Sequence, residues 1–470
     1  MAQSEIGLIG LGTMGAMLSL NIAENGFPIS VFNRTTARTT EFKANAGDLA
    51  DKITACETLE ELVASIKSPR AIILMVPAGE IVDAQIAALR PFLDDDDMII
   101  DAGNANFRDT QRRAADADKA GVPFLGIGVS GGEEGARFGP SIMGGGPKEA
   151  WDHVAHILTA ISAKYEGTAC ATWMGKGGAG HFVKAVHNGI EYADMQMIAE
   201  TYGIMRDGQG MTAQQCAAVF DAWNDGVLQS YLVEISGKVS AASDDSGAPM
   251  LEIIMDKAGQ KGTGRWTVIE AQHLGAPVPV IEAAVAARNL SALKSQREQG
   301  EAAYGAAPVA LADGALTDDD LEQALIVGKI MCYAQGFALL NAASEEFGWD
   351  LPMPEIARVW REGCIIRSSM LNDMASALTE APDGNLLFAP YFSDLIRRNE
   401  PSLRKTVTTA LAHGLQVPAL SAGLAYFDAM RTGRSTANMI QAQRDFFGAH
   451  GFERTDKDGK GFHGPWGGQL

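Results

Sequence analysis

The segment HFVKAVHNGIEYADMQ that follows Gly180 carries four residues able to do acid–base chemistry together. Lys184, His187, Asn188 and Glu191 fall at i, i+3, i+4 and i+7, which is one face of a helix. At a rise of about 1.5 Å per residue, that face offers a base, two polar anchors and an acid within ~11 Å along the axis. A lysine without its proton can abstract one, and a carboxylic acid that keeps its proton can donate one. The plain alternative is a surface ion-pair pattern of Lys184 and Glu191. Against it, the run His187-Asn188-Gly189 is a poor sequence for an ordinary surface helix.

Such a face needs anion-binding groups around it. The run FLGIGV reads as a strand ending in Ser130, Gly131 and Gly132, where a hydroxyl and backbone N–H groups can hold a carboxylate. The run MIIDAG ends in Asn104, at the carboxyl end of a strand, where open α/β sheets bind ligands. Either loop, taken alone, could be turn chemistry. The formal net charge is −20, so clustered cations are informative. Lys261 in KGTG, Arg288, and Arg444 with His450 in QAQRDFFGAH each read alone as solvated charges, and jointly they could form a phosphate site. Asp94 to Asp97 reads as a solvated acidic loop. No HExxH, paired CxxC or other metal-ligand spacing occurs, so no metal is expected.

A second chemistry lies at the start of the chain. The strand EIGLIG runs into Gly10, Leu11, Gly12, Thr13, Met14 and Gly15, a GxGxxG fingerprint in the strand–turn–helix context it requires. Gly10 makes the turn, Gly12 lets a pyrophosphate approach the backbone, and Gly15 packs the helix on the sheet. The helix N-terminus then meets the negative charge. An NAD site would usually place Asp or Glu about 20 residues further on. Here stand Asn33, Arg34 and Thr35, followed by Arg38. A carboxylate repels a 2′-phosphate and a guanidinium holds it, so NADP is favoured over NAD.

These sites need a scaffold. With 470 residues, two or three domains are expected. Over the first ~175 residues, strand-like runs (IGLIGLG, ISVFN, AIILMVP, MIIDAG, FLGIGVSGG, SIMGGG) alternate with helical stretches such as Ala16–Asn25 and Ile81–Leu93, which indicates a parallel α/β sheet. After about Gly180 the strand pattern gives way to helical spacing as far as Arg431. The expected fold is an α/β Rossmann-type dinucleotide-binding domain over 1–178, then a large all-α domain over 179–434. A C-terminal tail over 435–470 follows; it begins as one more helix (ANMIQAQRDFFGAH) and ends in a stretch too polar and Gly-rich to build a core. The five cysteines are scattered and odd in number, which fits reduced thiols in the cytoplasm. The acidic balance argues against nucleic acid or an anionic membrane as partner. Neither a signal peptide nor a membrane-spanning run is expected.

The strings GVSGGEEGA, GPSIM, HFVKAVHNGIEY, KGTGRW, GCIIR and IQAQRDFFGAH, in that order, resemble the 6-phosphogluconate dehydrogenases in their long form. GLGTMG with VSGG and a following lysine is shared more widely, with the β-hydroxyacid dehydrogenases. The resemblance implies oxidation and decarboxylation of 6-phosphogluconate with NADP, without a metal, in the pentose phosphate pathway. It implies that Lys184 is the base for the hydroxyl at carbon 3 and that Glu191 is the acid that protonates carbon 1. Asn104, Ser130, Gly131, Gly132, His187 and Asn188 match contacts to the acid end of the substrate. Tyr192, Lys261, Arg288, Arg444 and His450 match contacts to its phosphate, the last two from the neighbouring subunit of a homodimer with exchanged tails. The cofactor set implied includes Val76, Pro77, Ala78 and Asn104 beside the fingerprint. The family commonly has Ala at Gly12 and Lys where Pro77 stands, so NAD use stays open beside NADP. The alternative is a non-decarboxylating β-hydroxyacid dehydrogenase.

Overall fold

The apolar runs near the N-terminus form a six-stranded parallel sheet in a computed structural model that describes residues 3–260 and 262–466. Its strands are β1 (Ile6–Ile9), β2 (Ile29–Phe32), β3 (Ile53–Cys56), β4 (Ala71–Leu74), β5 (Met98–Asp101) and β6 (Phe124–Gly126). Their order is β3-β2-β1-β4-β5-β6, and every neighbouring pair is parallel. This is the doubly wound order that binds dinucleotides where the strand order reverses, between β1 and β4. The crossovers carry α1 (Thr13–Glu24), α2 (Thr36–Ala44), α3 (Leu59–Ala64), α4 (Glu80–Leu89) and α5 (Phe107–Ala120). Ile6, Leu8 and Ile73 bury on one face with Leu18 and Trp151, whereas Ile9, Ile72 and Leu74 bury on the other with Leu62 and Val82. Both faces are covered, so the strands read as continuous apolar runs.

At the end of β1 the backbone turns through Gly10 at φ 105°, and a Cβ there would lie 2.4 Å from the carbonyl oxygen of Met75. Only glycine can make this turn.

The sheet departs from the sequence reading after β6. The run FLGIGV breaks, and β7 (Gly128–Val129) leaves for a second sheet of order β11-β8-β7. There β7 pairs antiparallel with β8 (Ile142–Gly145), and β8 pairs parallel with β11 (Ala171–Gly175). Helices α6 (Gly132–Phe138) and α7 (Lys148–Ile161) and a short hairpin of β9 (Lys164–Tyr165) and β10 (Thr168–Ala169) lie between them. Strands β3 and β11 are half-buried and mixed in composition, so neither stands out as an apolar run. The acidic loop also differs from expectation. Asp97 is fully buried, and its carboxylate accepts from the backbone N–H groups of Arg70 and Asp94 and from the Arg70 guanidinium.

Beyond β11 the described residues are helical apart from isolated bridges. Helix α8 (Ala179–Gly203) packs against helices Thr263–His273, Pro279–Ser291 and Asp318–Phe347 and against β8 and β11. It is buried on all sides from Ala179 to Ile190, so it has no solvent-facing stripe to read in the sequence. Helix Asp318–Phe347 is long and apolar enough to cross a membrane, with a mean hydropathy of 1.3 in its most apolar window. Burial of 89% of that window inside the protein accounts for its composition.

The chain divides into two compact units, Met1–Gly423 and Leu424–Leu470. Within the second, helix Ala437–Gly448 is followed by a return strand contact between Phe452 and Phe462. Buried Asp445 organises this segment: it accepts from the N–H groups of Gly451 and Gly464, the indole of Trp466 and His463 Nδ1. The tail thus has a polar framework where the sequence suggested none.

One ion pair joins α8 to helix Asp318–Phe347 in the interior. Lys329 Nζ lies 2.6 Å from Asp194 Oδ2, and both side chains are buried. Replacing Lys329 with Met leaves a buried carboxylate unpaired, a loss of about 3–5 kcal/mol. We expect a lower urea midpoint for Lys329→Met and substantial recovery when Asp194→Leu is added. Equal midpoints for the single variant and the parent would show that the pair does not hold the two helices.

Candidate active site

The polar residues of α8 are buried because the helix is, so each needs a partner. Lys184 is 7% exposed, and its Nζ donates to Ser130 Oγ at 2.8 Å. The same nitrogen is 3.4 Å from His187 Nδ1. Asn188 donates its Nδ2 to Thr263 Oγ1 at 2.8 Å and turns its Oδ1 to His187 Nδ1 at 2.9 Å. That oxygen can only accept, so neutral His187 carries its proton on Nδ1 and leaves Nε2, 3.3 Å from Ser130 Oγ, to accept from the hydroxyl. A directed chain of donation therefore runs from the amine of Lys184 through Ser130, His187 and Asn188 to Thr263.

Electrostatics sharpen this arrangement. Burial lowers the Lys184 pKa from the ordinary lysine range, partly opposed by the Glu191 carboxylate and Cys364. Burial raises the Glu191 pKa, opposed by the charges of Lys184 and Arg288. His187 is pushed well below its usual range, first by burial and then by Lys184, so its 3.9 Å approach to Glu191 Oε2 is not an ion pair near neutrality. Burial thus favours a neutral amine and a protonated acid on one helix face. That is the state required to take a proton from one atom and deliver one to another.

The loop after β7 is shaped by backbone packing. Gly131 lies at φ 104°, and a Cβ there would sit 2.6 Å from the Gly363 carbonyl oxygen. Ser141 N–H donates to that same oxygen at 2.8 Å. Gly132 starts α6 and is exposed, whereas Ser130 is buried beneath it. Gly363 and Thr263 were not legible as site residues. The motif KGTG before a helix held a signal for Thr263, while a backbone carbonyl such as that of Gly363 leaves none. Trp360, fully buried, makes a T-shaped contact with His187, ring centroids 5.8 Å apart, and was likewise missed.

Next to Glu191, Tyr192 is buried, and the Arg288 guanidinium stacks 3.7 Å over its ring, a cation–π contact that holds the charge at the edge of the α8 face. Lys261 lies outside the described residues. Arg444 and His450 belong to the second unit, where both are exposed; Arg444 donates to Gln441 Oε1 and His450 sits edge-on to Phe447.

At the switch point of the sheet, Asn33 Oδ1 accepts the N–H of Leu11 at 3.1 Å and braces the glycine loop against the end of β2. Helix α1 then begins at Thr13, and its first-turn N–H groups have no intrahelical acceptor. A Cβ on Gly12 would meet nothing within 4 Å, so the cradle beside Thr13 and Met14 is open, and Ala would fit as well. Arg34, Thr35 and Arg38 are exposed beyond β2. Val76 borders Gly10, Pro77 and Ala78 are exposed after β4, and Asn104 is exposed after β5. These residues fit a dinucleotide whose ribose end carries a phosphate.

Residues 5–175 match the family described as the NAD binding domain of 6-phosphogluconate dehydrogenase, and residues 180–466 match its C-terminal domain. The chain belongs to the 6-phosphogluconate dehydrogenase family. It is 46% identical to the NADP(+)-dependent, decarboxylating 6-phosphogluconate dehydrogenase of Bacillus subtilis, over 99% of this chain and 100% of that one. Identity and coverage are the same with the decarboxylating enzyme of Escherichia coli. The Plasmodium falciparum 6-phosphogluconate dehydrogenase, solved in its apo form, with its cofactor NADP+ and with its substrate 6-phosphogluconate, superposes with a TM-score of 0.95. It is 42% identical, with 98% of this chain and 100% of that chain covered.

The two shifted groups set opposite limbs of a pH profile. Lys184 becomes competent as pH rises through its lowered pKa, and Glu191 ceases to be competent as pH rises through its raised one. We expect a bell-shaped kcat/KM whose limbs belong to the pair. In Glu191→Gln the alkaline limb should vanish. The acid limb should remain where it is, because Lys184 titrates there while Glu191 is still protonated and uncharged. An unchanged alkaline limb in the residual activity would remove Glu191 from the titration.

Proposed function

We propose that this protein oxidises 6-phospho-D-gluconate with NADP and removes its carboxylate, giving D-ribulose 5-phosphate and CO2. The observation that carries this reading is the buried α8 face, where an amine three residues before Ser130's histidine partner and an acid four residues after it are both favoured in their neutral forms. NADP, when bound, supplies the hydride acceptor. Lys184 takes the proton of the carbon-3 hydroxyl as hydride leaves that carbon. The β-keto acid then loses CO2 because its bonding electrons pass into the new carbonyl, to which the Lys184 ammonium can return a proton. Glu191 protonates carbon 1 of the resulting enediol.

Asn104, Ser130, Gly131, Gly132, His187 and Asn188 hold the acid end of the substrate, and Tyr192, Lys261 and Arg288 hold its phosphate. Gly10 to Gly15 receive the pyrophosphate, and Arg34 with Thr35 and Arg38 reads the 2′-phosphate. Val76, Pro77 and Ala78 line the same crevice, and NAD can serve beside NADP because Pro77 supplies no charge to a 2′-phosphate. We assign residues 1–178 to the cofactor, 179–434 to substrate and dimerisation, and 435–470 to a tail that brings Arg444 and His450 to the neighbouring subunit. The exposed Met439, Ile440, Phe446 and Phe447 on the tail helix support such a docking role. The enzyme acts in the cytoplasm, in the pentose phosphate pathway, as a homodimer.

Turnover of 6-phosphogluconate with NADP, followed by NADPH and by released CO2, tests the activity. A non-decarboxylating dehydrogenase would release no CO2. Lys184→Arg keeps the charge but cannot act as base, and we expect a loss of roughly 10²–10⁴ in kcat. Near-parental kcat would overturn the role of Lys184. For the tail, Lys184→Ala and Arg444→Ala should each be nearly inactive alone. A refolded equimolar mixture should recover roughly a quarter of parental activity, since about half the dimers are mixed and each of these has one intact site. No recovery, with mixed dimers confirmed by mass, would place the tail within its own subunit.

A further inference from the structure

A bidentate ion pair joins α5 to helix Thr263–His273 and takes no part in the chemistry proposed above. Arg108, in the first turn of α5, donates from Nε and Nη2 to the two carboxylate oxygens of Glu270 at 2.8 and 2.6 Å. Glu270 lies in helix Thr263–His273 and is only 4% exposed, so its carboxylate depends on this partner. His273 Nδ1 joins at 3.2 Å from Arg108 Nη2 and 3.3 Å from Glu270 Oε2.

Each partner sits at the end of a rigid arm. On one side, Asn106 caps α5 by accepting the Arg108 N–H at 2.9 Å, and Asn104 lies two residues before it. On the other, helix Thr263–His273 is fastened along α8. Thr263 Oγ1 accepts from Asn188 Nδ2, and Thr267 Oγ1 donates to the Ala185 carbonyl at 2.6 Å. The Thr267 side chain fills the space that a Cβ on Gly189 would take. From Thr263 to Glu270 the helix spans about 10 Å at 1.5 Å per residue. The route from Asn104 through Arg108, Glu270 and Thr263 to Asn188 is therefore a closed tie. It joins the loop after β5 on the cofactor side to the acid–base face on the substrate side.

We infer that Arg108 and Glu270 are positioning residues that fix the Asn104 loop against the α8 face, so that Asn104 and Asn188 grip the acid end of the substrate together. The inference rests on the activity proposed above. Neither residue touches the reacting atoms, and the interaction acts through Asn104 and Thr263.

Steady-state kinetics of Glu270→Gln, Arg108→Gln, the double variant and Arg108→Lys, with 6-phosphogluconate and NADP, test it. Glu270→Gln removes the pair without leaving a buried charge. We expect KM for 6-phosphogluconate to rise about tenfold, within the range usual for coupling between sites, while kcat falls less than about threefold. Direct titration of NADP without substrate should give an unchanged Kd. The double variant should match the single variants instead of compounding them, and Arg108→Lys should restore part of the KM. Unchanged KM in Glu270→Gln and Arg108→Gln would overturn the inference. So would compounded losses in the double variant, or a KM that follows only the fall in Tm. If the parent does not turn over the substrate at all, the activity is wrong, which is a separate result from an active parent with indifferent variants.

Discussion

Everything at this site depends on taking the amine of Lys184 out of water. A lysine at 7% exposure, donating to one serine hydroxyl, has lost most of the solvation that keeps an ammonium stable. The same burial that lowers its pKa raises that of Glu191. Neither shift needs an unusual chemical group. Both follow from placing a helix with polar residues where a helix would ordinarily be apolar, and from giving those residues one another as partners.

The fold exists in that form to make the burial achievable. Helix α8 is enclosed by three helices and by the small second sheet, and its polar atoms are met by groups from the loop after β7, from helix Thr263–His273 and from within α8. Buried polar networks are stable only when each member is satisfied. The chain from Thr263 to Lys184 meets that condition with one consistent assignment of protons. The Asp194–Lys329 pair fixes α8 against helix Asp318–Phe347 further along. The dinucleotide crevice is simpler. It needs only the strand reversal at β1 and β4, a glycine turn that no other residue can make, and open space at Gly12.

Much of this was legible in the sequence for definite reasons. Strands buried on both faces are continuous apolar runs, and a fingerprint nine residues into such a pattern can belong to little else. The spacing of Lys184, His187, Asn188 and Glu191 survives translation into structure because helical periodicity is local. What was not legible is set by long-range packing. Nothing in the sequence marks the carbonyl of Gly363 as the support of Gly131, or Trp360 as the neighbour of His187. Strands β3 and β11 are too mixed in composition to stand out. Asp97 looked like one member of a solvated acidic run, yet it clamps Arg70 from a fully buried position. Asp445, in a tail that read as unable to build a core, gathers four donors and orders the tail around them.

The account stands or falls on the protonation state of Lys184. Its side-chain titration can be followed by NMR on protein with lysines labelled at the ε-carbon, the signal being assigned by its loss in Lys184→Arg. The account requires the Lys184 resonance to titrate clearly below the ordinary lysine value of about 10.4, in the parent and in Glu191→Gln alike. A Lys184 signal that titrates with the surface lysines would contradict it.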